Sequence, residues 1–188
     1  MDIKKYIETA YKTACDNGFH DVQRPIEHWL MLVLTEVSEA VEADRKRKHA
    51  SIVMFERESK TKQPAGKETE HWKFCFEQFI KDTLADEFAD ICIRLFDLAG
   101  TFGFEIEELD LLLVSEQYKN KFRLKSFTLV AYELCQLLTE KNPDVTTVQL
   151  ALAYVQCWAL SLGINLEWHI EHKMQYNALR TRLHGKKY

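Results

Sequence analysis

Apolar residues recur with the period of an α-helix along nearly the whole chain, and this pattern limits the fold more than any other feature. In TLADEFADICIRLFDLAG, residues 83–100, an apolar stripe at about 100° per residue contains Leu84, Ile91, Leu95 and Leu98. No segment shows the alternation of apolar and polar residues that is typical of a half-buried strand. Only three prolines and six glycines interrupt the 188 residues. The sequence therefore predicts an all-α protein built as a helical bundle.

One acidic residue lies inside this apolar stripe, where a core helix should carry none. Glu87 is flanked on the helical wheel by Leu84, Ile91 and Leu98, and Asp90 lies one turn further on, at the edge of the stripe. A buried carboxylate without a partner either takes up a proton or requires a cation. The pattern predicts that a positive group lies beside these acids.

A second acidic pair, Glu36 and Glu39, lies in the upstream helical segment LMLVLTEVSEAVEADR. The two residues are three apart, so both side chains leave the same side of a helix. Such a pair alone is typical of a helix surface. Together with Glu87 and Asp90 it predicts a site of four carboxylates, which suits a hard divalent cation, Mg²⁺ or Mn²⁺. Because Mg²⁺ in proteins usually takes part of its coordination from substrate phosphates, the site indicates nucleotide chemistry.

Composition narrows the class of protein. A chain of 188 residues, 46% hydrophobic and 29% charged, suits one compact domain, and a formal charge of −4 gives no reason to expect nucleic-acid binding. Five cysteines without a CxxC pair predict reduced thiols. The N-terminal residues lack the apolar centre of a signal peptide, and no apolar run approaches the ~20 residues that span a membrane. We expect a cytoplasmic protein without membrane partners.

Turn and capping signals predict the helix boundaries. The first helix should end at Asn17-Gly18, and the second should begin at Pro25 and run to about residue 48. Residues 51–69 are polar and predict a long loop, followed by a single helix up to Gly100. Further helices are expected over residues 105–122, after Ser126, from Asp144 to Gly163 and over residues 166–182. We expect one domain, residues 1–188, in which the helices at about 105–160 are additional to a four-helix core.

The two acidic pairs resemble the ExxE…ExxD pattern of the MazG-like, all-α nucleoside triphosphate pyrophosphohydrolases. NGFHDVQRPIEHWLMLVLTEVSEAVEADRK is similar to the first motif helix of that family with its lead-in, and LADEFADICIRLFDLAG to the second. The ending LGINLEWHIEHKMQYNALRTRLHGKKY resembles the family's closing Lys-x-x-x-Asn helix and basic tail. These three segments cover about half of the chain.

The resemblance implies an enzyme that cleaves a (d)NTP between its α and β phosphates, giving a nucleoside monophosphate and pyrophosphate. It also implies bound Mg²⁺, with Mn²⁺ as a substitute, and a use in removing non-standard or surplus nucleotides. Glu36, Glu39, Glu87 and Asp90 match the catalytic metal ligands, and one of them or a neighbouring side chain serves as general base. A homodimer is expected, since bundles of this kind often complete their core or site across a two-fold axis.

Four further residues are expected to bind or position the substrate. Lys173 and Asn177 match the family's closing pair, lie four apart on one helical face and are expected to contact phosphate or sugar. Arg180, one turn on, is a candidate for the same role. Arg94 either orients Asp90 or reaches a phosphate, and Asp97 is expected to pair with Arg94.

The spacing of the motifs departs from that of a compact family member. Glu39 and Glu87 are separated by 47 residues, and Asp90 and Lys173 by another 82, which indicates inserted helices. Two other functions fit the same acids. One is a protein that binds a metal and a nucleotide without turnover. The other is a structural interaction module whose carboxylates form salt bridges with Arg94, Lys81 or Arg45.

Overall fold

The structure, a computed structural model, describes residues 2–106 and 122–185, and all regular secondary structure within those ranges is helical. The helices are α1 Ile3–Asp16, α2 Ile26–Arg45, α3 Ile52–Ser59, α4 Glu68–Phe79, α5 Leu84–Phe102, α6 Phe127–Leu138, α7 Val145–Ser161 and α8 Leu166–Ala178, followed by a 3-10 turn, Arg182–Gly185. The predicted all-α class is confirmed. The helix expected over residues 105–122 lies almost wholly outside the described residues.

The fold is arranged around α5, which packs against α1, α2, α7 and α8. The apolar stripe predicted for this helix is buried: Ile91, Leu95 and Leu98 are 0% exposed. Thr83 begins the helix by accepting a hydrogen bond from the Asp86 backbone amide, and Gly103 ends it with a left-handed φ of 65°. Residues of α1, α2, α6, α7 and α8 join α5 in one apolar core.

Several helix ends form where the sequence predicts them. The Ser126 side chain accepts a hydrogen bond from the Leu129 backbone amide at the start of α6. Asp144 and Thr147 form a reciprocal capping box at the start of α7, which satisfies backbone donors that the first turn would otherwise leave unpaired. Helix α2 begins one residue after Pro25 and ends at Arg45, slightly earlier than expected.

Two predictions for residues 51–100 are wrong. The expected loop over residues 51–69 contains a helix, α3, whose Phe55 is 2% exposed and contacts Trp72 and Trp168 edge-on. The expected single helix up to Gly100 is two helices, because the chain turns between α4 and α5. Asp82 adopts a left-handed φ of 59° at this turn.

Helices α3 and α4 form a hairpin that packs on α8 through a second, smaller core of aromatic residues. The Phe76 ring stacks on that of Tyr176 at 4.7 Å between ring centroids, and the Tyr176 hydroxyl donates a hydrogen bond to Glu77. Ser51 and Phe79 pair through their backbones at the base of the hairpin. The hairpin thus fixes the turn that leads into α5.

Within the described residues, no single helix is long and apolar enough to cross a membrane. Helices α7 and α8 reach such a length and apolar composition only when taken together, and the chain bends by 114° between them.

Candidate metal centre

A cavity of about 220 Å³ lies where α1, α2, α5 and α8 meet. All eight residues that the sequence singles out for catalysis or binding contribute to its wall: Glu36, Glu39, Glu87, Asp90, Arg94, Lys173, Asn177 and Arg180. The two acidic pairs are brought together because α2 packs along α5. The predicted residues therefore share one cavity, although seven come from three helices and Arg180 follows the end of α8.

Three carboxylates of this cavity lie close enough to share a cation. One carboxylate oxygen of Glu36, one of Glu39 and one of Glu87 lie within 4.8 Å of one another. Glu36 and Glu87 are buried, whereas Glu39 is exposed. Carboxylate oxygens of Asp82, Asp86 and Glu87 also lie within 4.8 Å of one another. Glu87 therefore belongs to both groups of acids.

Glu87 is a buried acid without a counterion. Its side chain is 4% exposed, it forms no ion pair with any described residue, and its Oε2 atom has no hydrogen-bond partner among them. Burial, reinforced by the charge of Asp90, raises the pKa of Glu87 to about 9. Without a metal the group is therefore mostly protonated at neutral pH. A divalent cation in the cavity would restore the carboxylate, because a nearby positive charge favours the ionised form.

Arg94 holds Glu36, a partner that helical spacing did not predict for that arginine. The Arg94 Nε donates a hydrogen bond to Glu36 Oε1 at 2.9 Å. Burial and the charge of Asp90 nevertheless raise the pKa of Glu36. Asp97 does not pair with Arg94 as expected; its Oδ1 lies 2.7 Å from the Nε2 of His20. Arg94 therefore fixes the orientation of a proposed metal ligand on the neighbouring helix.

Lys173 is enclosed between two carboxylates. Its Nζ lies 2.6 Å from Asp86 Oδ2 and 2.7 Å from Asp90 Oδ2, and the side chain is 5% exposed. Burial alone would lower the pKa of Lys173, but the charges of Asp90 and Asp86 raise it well above its usual value. Lys173 is thus a permanent cation, and it is the positive group predicted beside the acids, although it pairs with Asp90 and not with Glu87.

Asp86 was not singled out by its sequence, yet it is the most buried acid of the site. It is 0% exposed, and burial raises its pKa to about 6 against the opposing charge of Lys173. Its Oδ2 also accepts a hydrogen bond from the Asp82 backbone amide at 3.0 Å, and this contact closes the turn before α5. The spacing of Thr83 and Asp86, which is that of a capping box, is the sequence signal that could have identified the turn.

Asn177 and Arg180 lie on the same wall of the cavity as Lys173. Asn177 is 9% exposed, and its buried Oδ1 has no hydrogen-bond partner among the described residues. The Arg180 guanidinium lies 5.8 Å from the centre of the Tyr176 ring. The buried amide oxygen of Asn177 is therefore available to a molecule bound beside the acids.

The side chains present fit a hard divalent cation. The donors that approach one another are carboxylate oxygens, and the described cavity wall contains neither Cys nor His. Glu39 and Glu87 form no ion pair with described residues and together can supply the two negative charges that such an ion requires. Mg²⁺ and Mn²⁺ prefer this donor set.

No protein-family model, curated protein or solved structure matches this chain. The resemblance to the MazG-like family therefore rests on the motif residues themselves.

Proposed function

We propose that this protein is a Mg²⁺-dependent nucleoside triphosphate pyrophosphohydrolase that acts on the nucleotide pool of the cytoplasm. It would cleave a (d)NTP to a (d)NMP and pyrophosphate, in keeping with the resemblance of its acidic motifs. The observation that supports this proposal most is that carboxylate oxygens of Glu36, Glu39 and Glu87 lie within 4.8 Å of one another on the wall of a cavity. Removal of non-standard or surplus nucleotides is the corresponding biological use.

Each acid of the site has a part in this proposal. Glu36, Glu39, Glu87 and Asp90 would hold Mg²⁺, which when bound neutralises phosphate charge and lowers the pKa of a coordinated water. Glu39 is exposed and has no ion pair with described residues, so the oxygen of its carboxylate that does not bind the metal would be best placed to take up the proton of the attacking water.

The basic and amide side chains would position these acids and the substrate. Arg94 and Lys173 orient Glu36 and Asp90 through their ion pairs. Such contacts matter because a displaced ligand loses much of its affinity for a metal. Asn177 and Arg180 would bind phosphate or sugar, since both line the cavity beside the acids.

Pyrophosphate release from a panel of canonical and modified NTPs and dNTPs, measured with Mg²⁺, tests the proposed reaction. The wild-type protein should release pyrophosphate from at least one of them, and Glu87→Gln should slow this by about 100-fold or more, because it removes a metal ligand. Glu70→Gln is a matched control, since Glu70 is an exposed acid of α4 that pairs with Lys67. Equal rates in the Glu87 variant and the wild type would contradict the assigned site.

A second function is compatible with the ion pairs inside the cavity. Because Lys173 and Arg94 already compensate part of the acidic charge, the site could hold a metal and a nucleotide without turnover. Nucleotide binding that requires Mg²⁺ but yields no pyrophosphate from any member of the panel would favour this function. Absence of binding as well would favour a structural module.

We propose in addition that the protein acts as a homodimer. Helices α6 and α7 expose the large apolar residues Leu129, Tyr132 and Leu150 at 45%, 60% and 52%. Exposed apolar surface of this kind favours association with a second protein surface. Sedimentation equilibrium should give twice the mass of the chain, and a monomer at all concentrations would contradict this assignment.

A further inference from the structure

A shallow groove of about 280 Å³ adjoins the cavity and shares Glu39, Asp82 and Glu87 with it. Its remaining wall includes Lys46 and Lys48, from the C-terminal end of α2. We call it the lysine groove. The proposed metal ligands therefore separate two concave surfaces, an enclosed one among the helices and a more open one bordered by lysines.

The end of α2 has a backbone conformation that turns Lys48 toward this groove. The Lys48 amide donates to the Ala43 carbonyl and the Arg47 amide to the Asp44 carbonyl, both at 2.9 Å, which is the pairing of a Schellman motif. Arg47 occupies the left-handed position of the motif, with φ of 54°, where glycine is usual. The Lys48 carbonyl then accepts a hydrogen bond from the Leu84 amide at 3.0 Å, which ties the end of α2 to the start of α5.

A second residue with a left-handed backbone lies in the wall of the groove itself. Asp82, which lines the groove, also adopts a left-handed φ, 59°. Residues other than glycine seldom adopt this conformation, and such residues cluster at binding and catalytic sites. Asp82 lines the groove together with Glu39 and Glu87, whereas Arg47 directly precedes Lys48 in its wall.

Lys48 carries a positive charge that is only partly offset by the carboxylate of Asp82, whose pKa it helps Lys81 to lower against the opposing effect of burial. Its side chain is exposed and forms no ion pair with any residue in the described part of the chain. By contrast, Lys173 and Arg94 in the main cavity are paired with buried carboxylates. Lys46 lies 2.8 Å from Glu42 on the exposed helix end, a pair of the kind that costs little to open.

Building on the proposed function, we infer that the lysine groove binds the β and γ phosphates of the substrate, with Lys48 as the principal contact and Lys46 as the second. Water would add to the α phosphorus, and the bond from that phosphorus to the bridging oxygen would break. The bridging oxygen and its electron pair leave with pyrophosphate, while the proton of the water passes to Glu39. Because the groove would bind both the β and the γ phosphate, we expect nucleoside triphosphates to be better substrates than nucleoside diphosphates.

The acids of the groove determine how pyrophosphate enters it. Four acids, Glu39, Glu42, Asp82 and Glu87, line the same surface, so an anion without a counterion would be repelled. Pyrophosphate should therefore bind as its Mg²⁺ complex, with the lysines supplying the remaining positive charge.

Product inhibition by pyrophosphate tests this subsite. Lys48→Gln should raise the inhibition constant of pyrophosphate and the KM for the triphosphate about tenfold, the usual effect of losing one contact to a charged group. It should also make pyrophosphate inhibition less sensitive to salt, which a merely structural role would not do. Lys48→Arg should restore most of the affinity, because the charge is kept.

Arg45→Gln is the matched control for loss of charge. Arg45 belongs to the same helix end and pairs with Glu42, but it does not line the groove. This variant should leave both constants near those of the wild type. The decisive variant replaces both lysines, Lys46→Gln and Lys48→Gln. If the wild type is active and this double variant has the same KM and the same inhibition constant for pyrophosphate, the subsite is overturned.

Calorimetric titration with pyrophosphate and Mg²⁺ separates the subsite from the proposed reaction. If the wild type hydrolyses no nucleotide but binds Mg²⁺-pyrophosphate, and the double lysine variant binds it about tenfold or more weakly, the subsite stands and the proposed reaction is wrong. If the wild type does not bind Mg²⁺-pyrophosphate, the subsite is overturned whatever the enzyme hydrolyses.

Discussion

Glu87 combines burial, a raised pKa and the absence of an ion pair with described residues. Burying a carboxylate without a positive partner destabilises its charged form in the folded protein. The carboxyl group therefore keeps its proton to a higher pH than in water. A structural role gives no reason to place such a group next to Asp90. The proposed metal site accounts for this position, because a bound cation would supply the missing charge.

The raised pKa of Glu87 predicts how stability depends on pH when no metal is present. The unfolded chain loses its proton near the ordinary value of 4.5, whereas the folded protein keeps it until about pH 9. Stability from the protonated group is therefore complete below pH 4.5 and is lost as the pH rises toward 9. Glu87→Gln cannot ionise, so it should be more stable than the wild type by on the order of 3 kcal/mol at alkaline pH and about equal near pH 5.

Urea unfolding in EDTA at a series of pH values measures this difference between the variant and the wild type. The other acids of the cavity are common to both proteins, so their titration largely cancels. A difference that does not change with pH would show that Glu87 titrates normally in the folded state.

Lys173 should matter for folding as well as for binding. Replacing it by Met would leave Asp86 and Asp90 without their counterion, which typically costs about 3–5 kcal/mol for a buried pair. Adding Asp86→Asn should recover part of this loss, because it removes one of the stranded charges. Urea unfolding of the two single variants and the double variant gives the coupling energy.

Lys81→Met provides the comparison for an exposed pair. Lys81 pairs with Asp82 in a partly exposed setting, so its loss should change stability by no more than about 1 kcal/mol. An equally small decrease in the free energy of unfolding for Lys173→Met would contradict the buried ion pairs of Lys173 with Asp86 and Asp90.

At the scale of single residues, the sequence predicted the acids better than their partners. Glu87 stood out because it interrupts an apolar stripe. The predicted partner of Asp97 was wrong, because Asp97 pairs with His20, far away along the chain. The pairing of Arg94 with Glu36 was not predicted, for the same reason. Helical spacing reports only contacts within one helix, so contacts between helices could not be predicted from it.

At the scale of elements, the crossing of α1 and α5 depends on one glycine. A Cβ atom on Gly100 would lie 2.6 Å from the Cβ of Tyr11, which is closer than packed atoms approach. Gly100→Ala should therefore destabilise the protein by about 1–3 kcal/mol, although this change normally stabilises a helix. Thr101→Ala, one residue further on, is the control. Thermal unfolding that shows Gly100→Ala to be more stable than the wild type would contradict the close crossing.

Local signals predicted the ends of helices that have side-chain caps, such as α6 and α7, which begin at Ser126 and Asp144. They did not predict α3, because its 8 residues are held by the packing of Phe55 against Trp72 and Trp168. The break before α5 was also missed, since Asp82 adopts a left-handed conformation without a glycine or proline to mark the turn, and the capping signal of Thr83 and Asp86 was the one local cue to it.

At the scale of the whole molecule, the site exists because α2 and α5 are neighbours in one core. Glu39 and Glu87 are separated by 47 residues, and only the packing of these helices brings their oxygens together. The resemblance of the motifs predicted this convergence. Composition and periodicity could predict a bundle, but not which helices lie side by side in it.

Divalent cation binding by the folded protein is the measurement that tests the central proposal most directly. Thermal unfolding should be followed during titration with Mg²⁺ and, separately, Mn²⁺, for the wild type and for Glu87→Gln. A cation present at a concentration of about 100 times its dissociation constant should raise the wild-type Tm by about 5–10 °C, because it binds only the folded state. Glu87→Gln should show little or no rise. A wild-type Tm that neither cation changes would show that these carboxylates do not form a metal site.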